Sequence, residues 1–394
     1  MKKTKRITAL VLSFALLLCG CANESATEED KEAGTEVQEE AAQEESWKYK
    51  LDEIVPSAYG NASGLNLEPG AYISIIGKSS EGAFWEEVKA GVKQAAADIN
   101  AELGYEGGDK VKVTFSAPEE VDNVDEQVSL LDEELARYPI ALGISIADDQ
   151  ACGVQFDIAI ENNIPVVAFD SASDYEGLMA KISTDNEAAG KFAAKQFAEM
   201  LGGDGKVLMI IHESNSEAAK EREQGFKKVI KDNYENIEIL DVIHLDDLDD
   251  LKYEIADQVA RGEYELEGLE NLEGLENISK EDIMDYLLAK YPEVTGCYTT
   301  NEASGQLVAG GLDRLEEEDV CVVSFDAGNA QIESLKNGQF DGLVIQNPFG
   351  MGYAAVIAAA RAGLQLGNEA FVNTGYTWVD RDNMDNEDIK NLLY

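Results

Sequence analysis

The chain has 394 residues, 44% of them hydrophobic, and its 31 basic and 78 acidic residues give a formal net charge of −47. This length suggests two domains, each with enough apolar residues for its own core. The charge argues against nucleic acid as a partner, because nucleic acid is bound by cationic surfaces.

Residues 1–20 have the pattern of a signal peptide. Four basic residues precede an apolar stretch over 7–18 that is too short to span a bilayer. The following "LCGC", residues 18–21, resembles a bacterial lipobox, in which Cys21 would be lipidated and become the new N-terminus. We therefore expect a lipoprotein signal peptide, lipidation at Cys21 and attachment to the cell membrane. An ordinary signal peptide cut nearby is the alternative.

The next segment is strongly acidic. Residues 22–46 contain ten acidic residues and one lysine, with Ala, Ser, Thr and Gln between them. Such a composition cannot build a core. We expect an acidic, lipid-anchored tether over residues 21–69.

From residue 70 the pattern alternates between strands and helices. Apolar runs rich in Val and Ile predict strands at 71–77, 110–116, 140–146, 164–169, 206–211, 237–243, 294–299, 319–325 and 341–345. Helical periodicity occupies most of the gaps, at 84–103, 124–136, 151–162, 186–201, 216–232, 302–315, 329–337 and 350–366. Continuous apolar strands alternating with helices indicate doubly wound α/β architecture, and the length suggests two parallel sheets.

One stretch, "LEGLENLEGLEN" at 266–277, interrupts this alternation. Its leucines recur every third residue, a spacing that spreads them around a helix instead of forming one apolar face. We expect residues 261–280 to form an acidic surface insertion with partial helix; a docking surface is the alternative.

Motifs for catalysis or for a cofactor are lacking in the sequence. "GKSS" at 77–80 fails as a phosphate-binding loop, because position 72 is tyrosine where that motif needs glycine. We expect the three cysteines outside the signal region to be small buried residues, namely Cys152, Cys297 and Cys321. A zinc site is not expected, because the chain has only two histidines and no C-x-x-C pair. We therefore expect a binding protein without metal or cofactor, and not an enzyme.

Two apolar runs end alike, in "PVVAFDSAS" and "CVVSFDAGN", which places Asp170 and Asp326 after predicted strands. Ligands of open α/β sheets bind beyond such strand ends, where Asn301 and Lys78 are also expected. A carboxylate accepts hydrogen bonds from hydroxyl groups. Alternatively, each aspartate begins a turn and Asn301 caps a helix. The repetition favours binding.

An aromatic pair, Phe84 and Trp85, follows the first predicted strand. An aromatic face covers the C–H side of a sugar ring and excludes water. One of the two is expected to belong to the core. Together with the carboxylates, the pair predicts a hydroxyl-rich, weakly charged ligand.

Several blocks then resemble one family. "ISIIGKSSEGAFWEEVKAGVKQAA", "IPVVAFDSAS", "STDNEAAGKFAAKQF", "AAKEREQGF", "YTTNEASGQLVAGGL", "VVSFDAG" and "DGLVIQNPFGMGYAAV" look like successive blocks of the ribose/galactose-type substrate-binding proteins of ABC transporters, over about residues 70–385. Those proteins have the type I periplasmic binding protein fold.

The resemblance implies two similar lobes that enclose one sugar. The first would contain residues 70–184 and 347–377, and the second residues 185–346 and 378–394. The three crossings would lie near Ser183–Asn186, Gln346–Pro348 and Gly375–Asp380. Asp170 and Asp326 would face the same cleft from opposite lobes.

The resemblance also implies the remaining contacts. Asn301 and Lys220 match second-lobe polar positions, Phe84 and Trp85 match ring contacts, and Gln346 matches a hinge residue that touches ligand. Ser171 stands where pentose binders often have arginine, and Lys78 where ribose binders have serine. Two lysines could instead favour a hexose, a polyol or a sugar acid, so the ligand stays open.

Taken together, these features predict a monomeric, extracytoplasmic, lipid-anchored receptor that binds a monosaccharide or polyol and delivers it to an ABC permease. A sugar-sensing receptor for a sensor kinase or chemoreceptor is the alternative. A transcription repressor would need a basic DNA-binding segment before residue 70, and a sugar-metabolising enzyme would need an acid/base pair or metal cluster. The sequence leaves the partner, the envelope type and the role of residues 261–280 open.

Overall fold

A computed structural model describes residues 47–120, 123–148, 150–266, 274–317 and 319–394. The predicted signal peptide, Cys21 and the acidic residues 22–46 lie outside this part, as do residues 267–273 of the predicted insertion. The described strands are β1 (Tyr72–Ile76), β2 (Lys112–Ser116), β3 (Ala141–Ile144), β4 (Val166–Phe169), β5 (Leu178–Ser183), β6 (Asp204–Ile211), β7 (Asn236–His244), β8 (Gly296–Thr299), β9 (Cys321–Phe325), β10 (Gly342–Gln346), β11 (Phe371–Asn373) and β12 (Tyr376–Val379).

Helices separate most of these strands. After α1, over residues 47–52, come α2 (Ala83–Leu103), α3 (Val124–Leu135), α4 (Gly153–Glu161), α5 (Asn186–Met200), α6 (Glu217–Asn233), α7 (Asp249–Arg261), α8 (Lys280–Lys290), α9 (Glu302–Arg314), α10 (Asn329–Asn337), α11 (Pro348–Gly363) and α12 (Glu387–Lys390).

The strands form two sheets of the same design within the described residues. The first has the order β11-β5-β4-β3-β1-β2 and the second β12-β10-β9-β8-β6-β7. All pairs are parallel except β10 with β12. Most central strands are buried along their length, because helices cover both faces of each sheet. The prediction of two doubly wound lobes is confirmed.

The chain passes between the sheets three times. It leaves the first sheet after β5, returns after β10 and leaves again between β11 and β12. The third crossing comes at Thr374 and Gly375, at the start of the predicted range Gly375–Asp380, because Tyr376 already pairs with Gln346 in the second sheet. Tyr376 and Thr377 therefore lie in the second sheet, although the sequence placed them in the first lobe.

Each sheet carries a tightly packed helix pair that depends on glycine. A Cβ on Gly91 of α2 would collide with the Phe349 carbonyl of α11, and one on Gly190 of α5 would collide with the Arg222 carbonyl of α6. Hydrogen in place of a side chain lets the backbones approach. In the second pair this approach brings Arg222 against the start of α5.

The prediction of a tether over 21–69 is wrong for residues 47–69. Apolar side chains of this segment, among them Leu51, Ile54 and Tyr59, are buried in the core of the first sheet. Val55 and Asn373 exchange two backbone hydrogen bonds, of 2.8 and 2.9 Å, beside the third crossing. The acidic composition of 22–46 stops before these apolar residues, which gain free energy by burial and so fold onto the lobe.

Sequence periodicity missed seven of the described strands and helices, namely β5, β11, β12, α1, α7, α8 and α12. The strands are short and carry polar or exposed residues such as Lys181 and Phe371, so no apolar run marks them. Beyond the undescribed part of the insertion, Leu275–Asn277 forms a single 3₁₀ turn.

The predicted burial of the cysteines is confirmed for Cys152 and Cys297, while Cys321 is partly buried; all three are free thiols. Among the helices of the described residues, none is both long enough and apolar enough to cross a membrane.

Candidate functional site

A cleft of about 320 Å³ lies between the carboxyl ends of the two sheets. Seven of the nine predicted binding residues line it: Lys78, Phe84, Trp85, Asp170, Asn301, Asp326 and Gln346. The structure adds residues that the sequence interpretation did not include, among them Glu81, His212, Ser216, Arg222 and Glu302. The volume lies in the range of small-molecule sites. The cleft therefore brings side chains of both sheets to one ligand-sized space.

Asp170 follows β4 in a left-handed backbone conformation, with φ of 59°. Its N–H donates to the Ile182 carbonyl at 2.8 Å, and its Oδ2 accepts from the Ser145 hydroxyl at 2.8 Å. Burial raises the pKa of the Asp170 carboxyl, although the nearby Lys78 ammonium acts in the opposite direction. A partly desolvated carboxylate of this kind gains most when ligand hydroxyls replace lost water.

Asp326 follows β9 in the same way, with φ of 79° and its N–H donating to the Val344 carbonyl at 3.0 Å. Its carboxylate is held by more protein donors than that of Asp170. Gln346 Nε2 donates to Oδ1 at 2.7 Å, the Glu302 N–H donates to Oδ2 at 3.2 Å, and the Tyr394 hydroxyl lies 3.4 Å from Oδ1. Both aspartates thus face one cleft from equivalent strand ends.

Gln346 connects the cleft with the crossings. Its Oε1 accepts from the Thr184 hydroxyl at 3.1 Å, and that hydroxyl also lies 3.2 Å from the Gly375 carbonyl. Thr184 belongs to the first crossing and Gly375 to the third. The side chain that orients Asp326 is therefore joined to the segments that connect the lobes.

Aromatic rings form the wall contributed by α2. Phe84 and Trp85 meet edge to face with ring centroids 5.2 Å apart. Trp85 is 9% exposed and contacts Phe169 and Phe115 in the core, whereas Phe84 is more exposed and approaches the Tyr394 ring. The expectation that one of the pair belongs to the core agrees with this arrangement.

The second-lobe cation in the cleft is Arg222, and the sequence placed this role on Lys220. Lys220 Nζ lies 3.2 Å from the Asn215 carbonyl, and the residue does not line the cleft. Arg222 is 2% exposed; its Nε donates to Asn186 Oδ1 at 2.9 Å and its Nη1 to the Thr300 carbonyl at 2.7 Å. Two residues along a helix turn a side chain by about 200°, so both cannot face the same side. The assignment of Lys220 to the cleft is wrong.

The helical periodicity of α6 indicates that Arg222 lies on the buried face of this helix. Ala219, Arg222, Phe226 and Val229 recur at helical spacing and form the buried face of α6. A charged residue on such an apolar stripe is unusual without a partner or a ligand. The guanidinium also stacks on the Phe325 ring at 4.2 Å, beside the strand end that carries Asp326.

His212 follows β6 and lies at the floor of the cleft. Its Nδ1 is 2.8 Å from the Thr300 hydroxyl, which also accepts the His212 backbone N–H at 3.0 Å. Burial, together with the Arg222 and Lys78 charges, holds the pKa of His212 well below its ordinary value. The imidazole is therefore neutral at pH 7 and offers hydrogen bonding without charge.

Lys78 follows β1 and is almost fully buried. Its Nζ lies 3.7 Å from Glu213 Oε2, and the side chains of the pair are 7% and 14% exposed. Lys78 follows β1 of the first sheet, and Glu213 follows β6 of the second sheet. This ion pair therefore spans the two halves of the molecule beside the cleft.

Asn301 and Ser171 have roles that are structural in part. The Asn301 Oδ1 accepts from the Ser304 N–H at 2.9 Å and so caps α9, while the same side chain lines the cleft. Ser171 is buried, and its hydroxyl lies 3.4 Å from that of Ser216 at the contact between the halves. It stands next to the cleft and not in its wall.

Over the residues that the structure covers, no group of His, Cys, Asp or Glu is arranged to hold a metal ion. The cleft combines carboxylate acceptors, cationic and amide donors, and aromatic faces. Such a surface complements a small molecule that carries both hydroxyl groups and C–H faces.

The periplasmic binding protein domain family matches residues 73–367 of the chain. Among curated relatives, the ribose import binding protein RbsB of Haemophilus influenzae is 23% identical over 289 residues, which are 73% of this chain and 84% of that protein. The Escherichia coli protein of the same name is 21% identical over 287 residues, 73% of this chain and 83% of that protein.

Solved structures also match. The carbohydrate transporter solute binding protein of Agrobacterium radiobacter, in complex with D-arabinose, is 25% identical with a TM-score of 0.68; the match covers 82% of this chain and 99% of that one. A solute binding protein of an ABC transporter from Agrobacterium vitis, with bound D-fucose, is 22% identical with a TM-score of 0.67, covering 82% and 100%.

Proposed function

The chain belongs to the periplasmic binding protein domain family, and from this premise we propose that it captures a sugar or polyol in the cleft and delivers it to an ABC permease. Family membership implies an extracytoplasmic location, and the matched relatives are solute-binding proteins of sugar transport. The chain is accordingly a binding protein and not an enzyme.

The observation that carries the proposal is the meeting of two equivalent carboxylates in one cleft. Asp170 and Asp326 reach it from opposite sheets, and aromatic rings and Arg222 line the same space. A ligand hydroxyl that donates to a buried carboxylate is bound selectively, because a ligand without it leaves the acceptor unpaired. The proposed ligand contacts are Lys78, Phe84, Trp85, Asp170, Asn301, Asp326 and Gln346, with Arg222 in place of Lys220.

Capture would proceed by closure of two lobes. Each lobe is proposed to consist of one sheet with its helices, joined at the three crossings. A ligand held by Asp170 gains the Asp326 and Arg222 contacts when the halves approach, so it favours the closed arrangement over the open one. Gln346 would transmit this change, since it contacts both Asp326 and the first crossing.

The protein is proposed to act as a monomer anchored through lipid on Cys21. A diacylated cysteine would attach it stably, since each buried CH₂ contributes about 0.8 kcal/mol. The acidic residues 22–46 would separate the anchor from the folded part, which begins by residue 47.

The alternative is a receptor that presents the sugar to a sensor kinase or chemoreceptor, and the cleft would serve both roles. Uptake of labelled ligand by vesicles that contain a candidate permease, with and without the protein, separates the two. Ligand-dependent capture of a sensor in place of a permease would favour the alternative.

The proposal is tested by a thermal-shift screen against sugars, polyols and sugar acids, followed by calorimetry with the best ligand. We expect Asp170→Ala and Asp326→Ala each to abolish measurable binding while the proteins stay folded. Asp174→Ala, which removes an exposed aspartate of the neighbouring loop, is the matched control and should bind normally. Normal affinity in either cleft variant would remove that residue from the site, and no binding by any compound would refute the proposed function.

A further inference from the structure

An ion pair between Lys78 and Glu213 lies beside the cleft. Lys78 lines the cleft, and its ammonium lies 3.7 Å from Glu213 Oε2 with both side chains largely buried. Burial raises the pKa of the Asp170 carboxyl, and the Lys78 ammonium opposes this rise. The ammonium therefore interacts with two protein carboxylates, one from each half of the molecule.

The second cation of the cleft is engaged in a similar way. Arg222 donates to Asn186 Oδ1 and to the Thr300 carbonyl, and its guanidinium face rests on Phe325. These contacts fix the guanidinium against its own lobe. Two of its five N–H donors are used by the protein, and the others can still donate to a ligand oxygen at the cleft.

Acidic groups outnumber cations around this space. The described cleft wall contains Lys78 and Arg222 against Asp170, Asp326, Glu81 and Glu302, and Glu213 adjoins it. The Asp326 charge raises the pKa of the Glu302 carboxyl, after the larger effect of burial. A ligand carboxylate would enter a region of like charge, where repulsion is strong because water is largely excluded.

We propose that Glu213 is a specificity-determining residue: by occupying the Lys78 ammonium it makes the cleft select uncharged sugars or polyols over sugar acids. This inference rests on the proposed function and narrows its ligand class. Without Glu213, the ammonium would have one carboxylate partner fewer and would attract a ligand carboxylate more strongly, since charge-assisted hydrogen bonds from cations are how proteins recognise carboxylates. With Glu213 in place, a sugar acid must compete with a built-in carboxylate.

Closure of the two halves would contribute to the selection of neutral sugars over sugar acids. Glu213 and Lys78 come from different sheets, so their distance depends on how the two halves approach. A sugar acid that paired with Lys78 in the first half would meet Glu213 as the halves came together. The penalty would therefore oppose closure and weaken the binding of the acid specifically.

The test uses calorimetry with matched pairs, each a neutral sugar and its uronic acid: galactose with galacturonate, glucose with glucuronate, and mannose with mannuronate. The wild-type protein is expected to bind the neutral member of its best pair at least about tenfold more tightly than the acid. In Glu213→Gln this ratio should fall by about tenfold or more, because the acid gains affinity while the neutral sugar still binds.

Glu217→Gln is the matched control. Glu217 also joins the two halves, through Lys181 at 2.8 Å and the Ala172 N–H at 3.2 Å, but its cationic partner Lys181, unlike Lys78, does not line the cleft. Its substitution should leave the neutral-to-acid ratio at the wild-type value. A fall of the ratio in this control equal to that in Glu213→Gln would overturn the inference, because any lost contact between the halves would then suffice.

Lys78→Gln provides a second measurement if Glu213→Gln folds poorly. Removal of the ammonium should keep or increase the preference for the neutral sugar, since Arg222 is then the cation left in the described cleft wall to attract an acid. Tighter binding of the acid by the wild-type protein, or an unchanged ratio in Glu213→Gln, would overturn the inference and leave the proposed function intact. Binding of neither member of any pair would refute both, and so the two failures are distinguishable.

Discussion

The strand ends at Asp170 and Asp326 have nearly the same backbone but different surroundings. Each aspartate lies in the left-handed region, and each donates its N–H to the strand that leads to a crossing. The Asp170 carboxylate accepts one hydroxyl hydrogen bond from Ser145, whereas Gln346, Glu302 and Tyr394 are all arranged to donate to Asp326. The two aspartates therefore share one backbone conformation, but the Asp326 carboxylate is held by more protein donors than the Asp170 carboxylate.

This difference suggests a division of work between the halves. Asp170, with fewer protein donors, has more acceptor capacity left for a ligand. Asp326 is held in position by Gln346, which contacts the first crossing through Thr184. We infer that Asp170 contributes mainly affinity and that Asp326 contributes both a ligand contact and the coupling of that contact to closure.

The largest effect is expected from Asp170→Asn. The amide loses the negative charge and replaces one acceptor oxygen by an NH₂ donor, so affinity should fall by about a hundredfold or more, from a cost of roughly 2–5 kcal/mol. The same change should raise the midpoint of thermal unfolding at neutral pH. Burial raises the Asp170 pKa, which means that the ionised carboxylate costs stability in the folded state.

The gain in stability of Asp170→Asn should depend on pH, because the pKa of Asp170 is raised in the folded state. Because the folded-state pKa lies above the ordinary aspartate value, the penalty is complete above the folded pKa and disappears as pH falls below the unfolded one. The stability difference between Asp170→Asn and wild type should therefore shrink on acidification, as followed by calorimetric melting. Asp174→Asn is the control, and a difference that grew on acidification would contradict the assignment.

The sequence was sufficient to find this pair because the repeated Phe-Asp marks equivalent strand ends. It also predicted nine of the twelve described strands from runs rich in Val and Ile, and with them the two sheets. It failed for Arg222, because the family resemblance implied this contact at Lys220, which lies two residues earlier and on another side of α6. It could not reveal Glu213, because its partner Lys78 is distant in sequence and the contact depends on how the two halves pack.

The segment over residues 47–69 also depends on contacts with residues distant in sequence, which local sequence patterns do not reveal. Its buried Leu51 and Ile54 do not recur with a strand or helix period long enough to be recognised. Their burial depends on the core of the first sheet, which is formed by residues much later in the chain. Local composition can identify the acidic residues 22–46 but not the point where packing begins.

An intermediate effect is expected from Asp326→Asn. The amide can still accept at its oxygen, but its NH₂ group would face one of the present donors, so stability should fall by about 1–3 kcal/mol. Affinity should fall by roughly tenfold, less than for Asp170→Asn. Denaturant unfolding and calorimetry measure both quantities, with Glu333→Gln on the exposed face of α10 as control. A gain in stability would show that the two strand ends behave alike.

The smallest effect is expected from Tyr394→Phe. Its hydroxyl lies 3.4 Å from Asp326 Oδ1, at the long end of hydrogen bonding, while its ring meets Phe84 edge to face at 6.2 Å. The substitution keeps the ring and removes only the weakest donor, so affinity should fall by about two- to threefold. Tyr394→Ala, which also removes the support for Phe84, should cost more in the same calorimetric titration. Equal losses of affinity in the two variants would mean that Tyr394 acts through its hydroxyl and that its ring contributes nothing to binding.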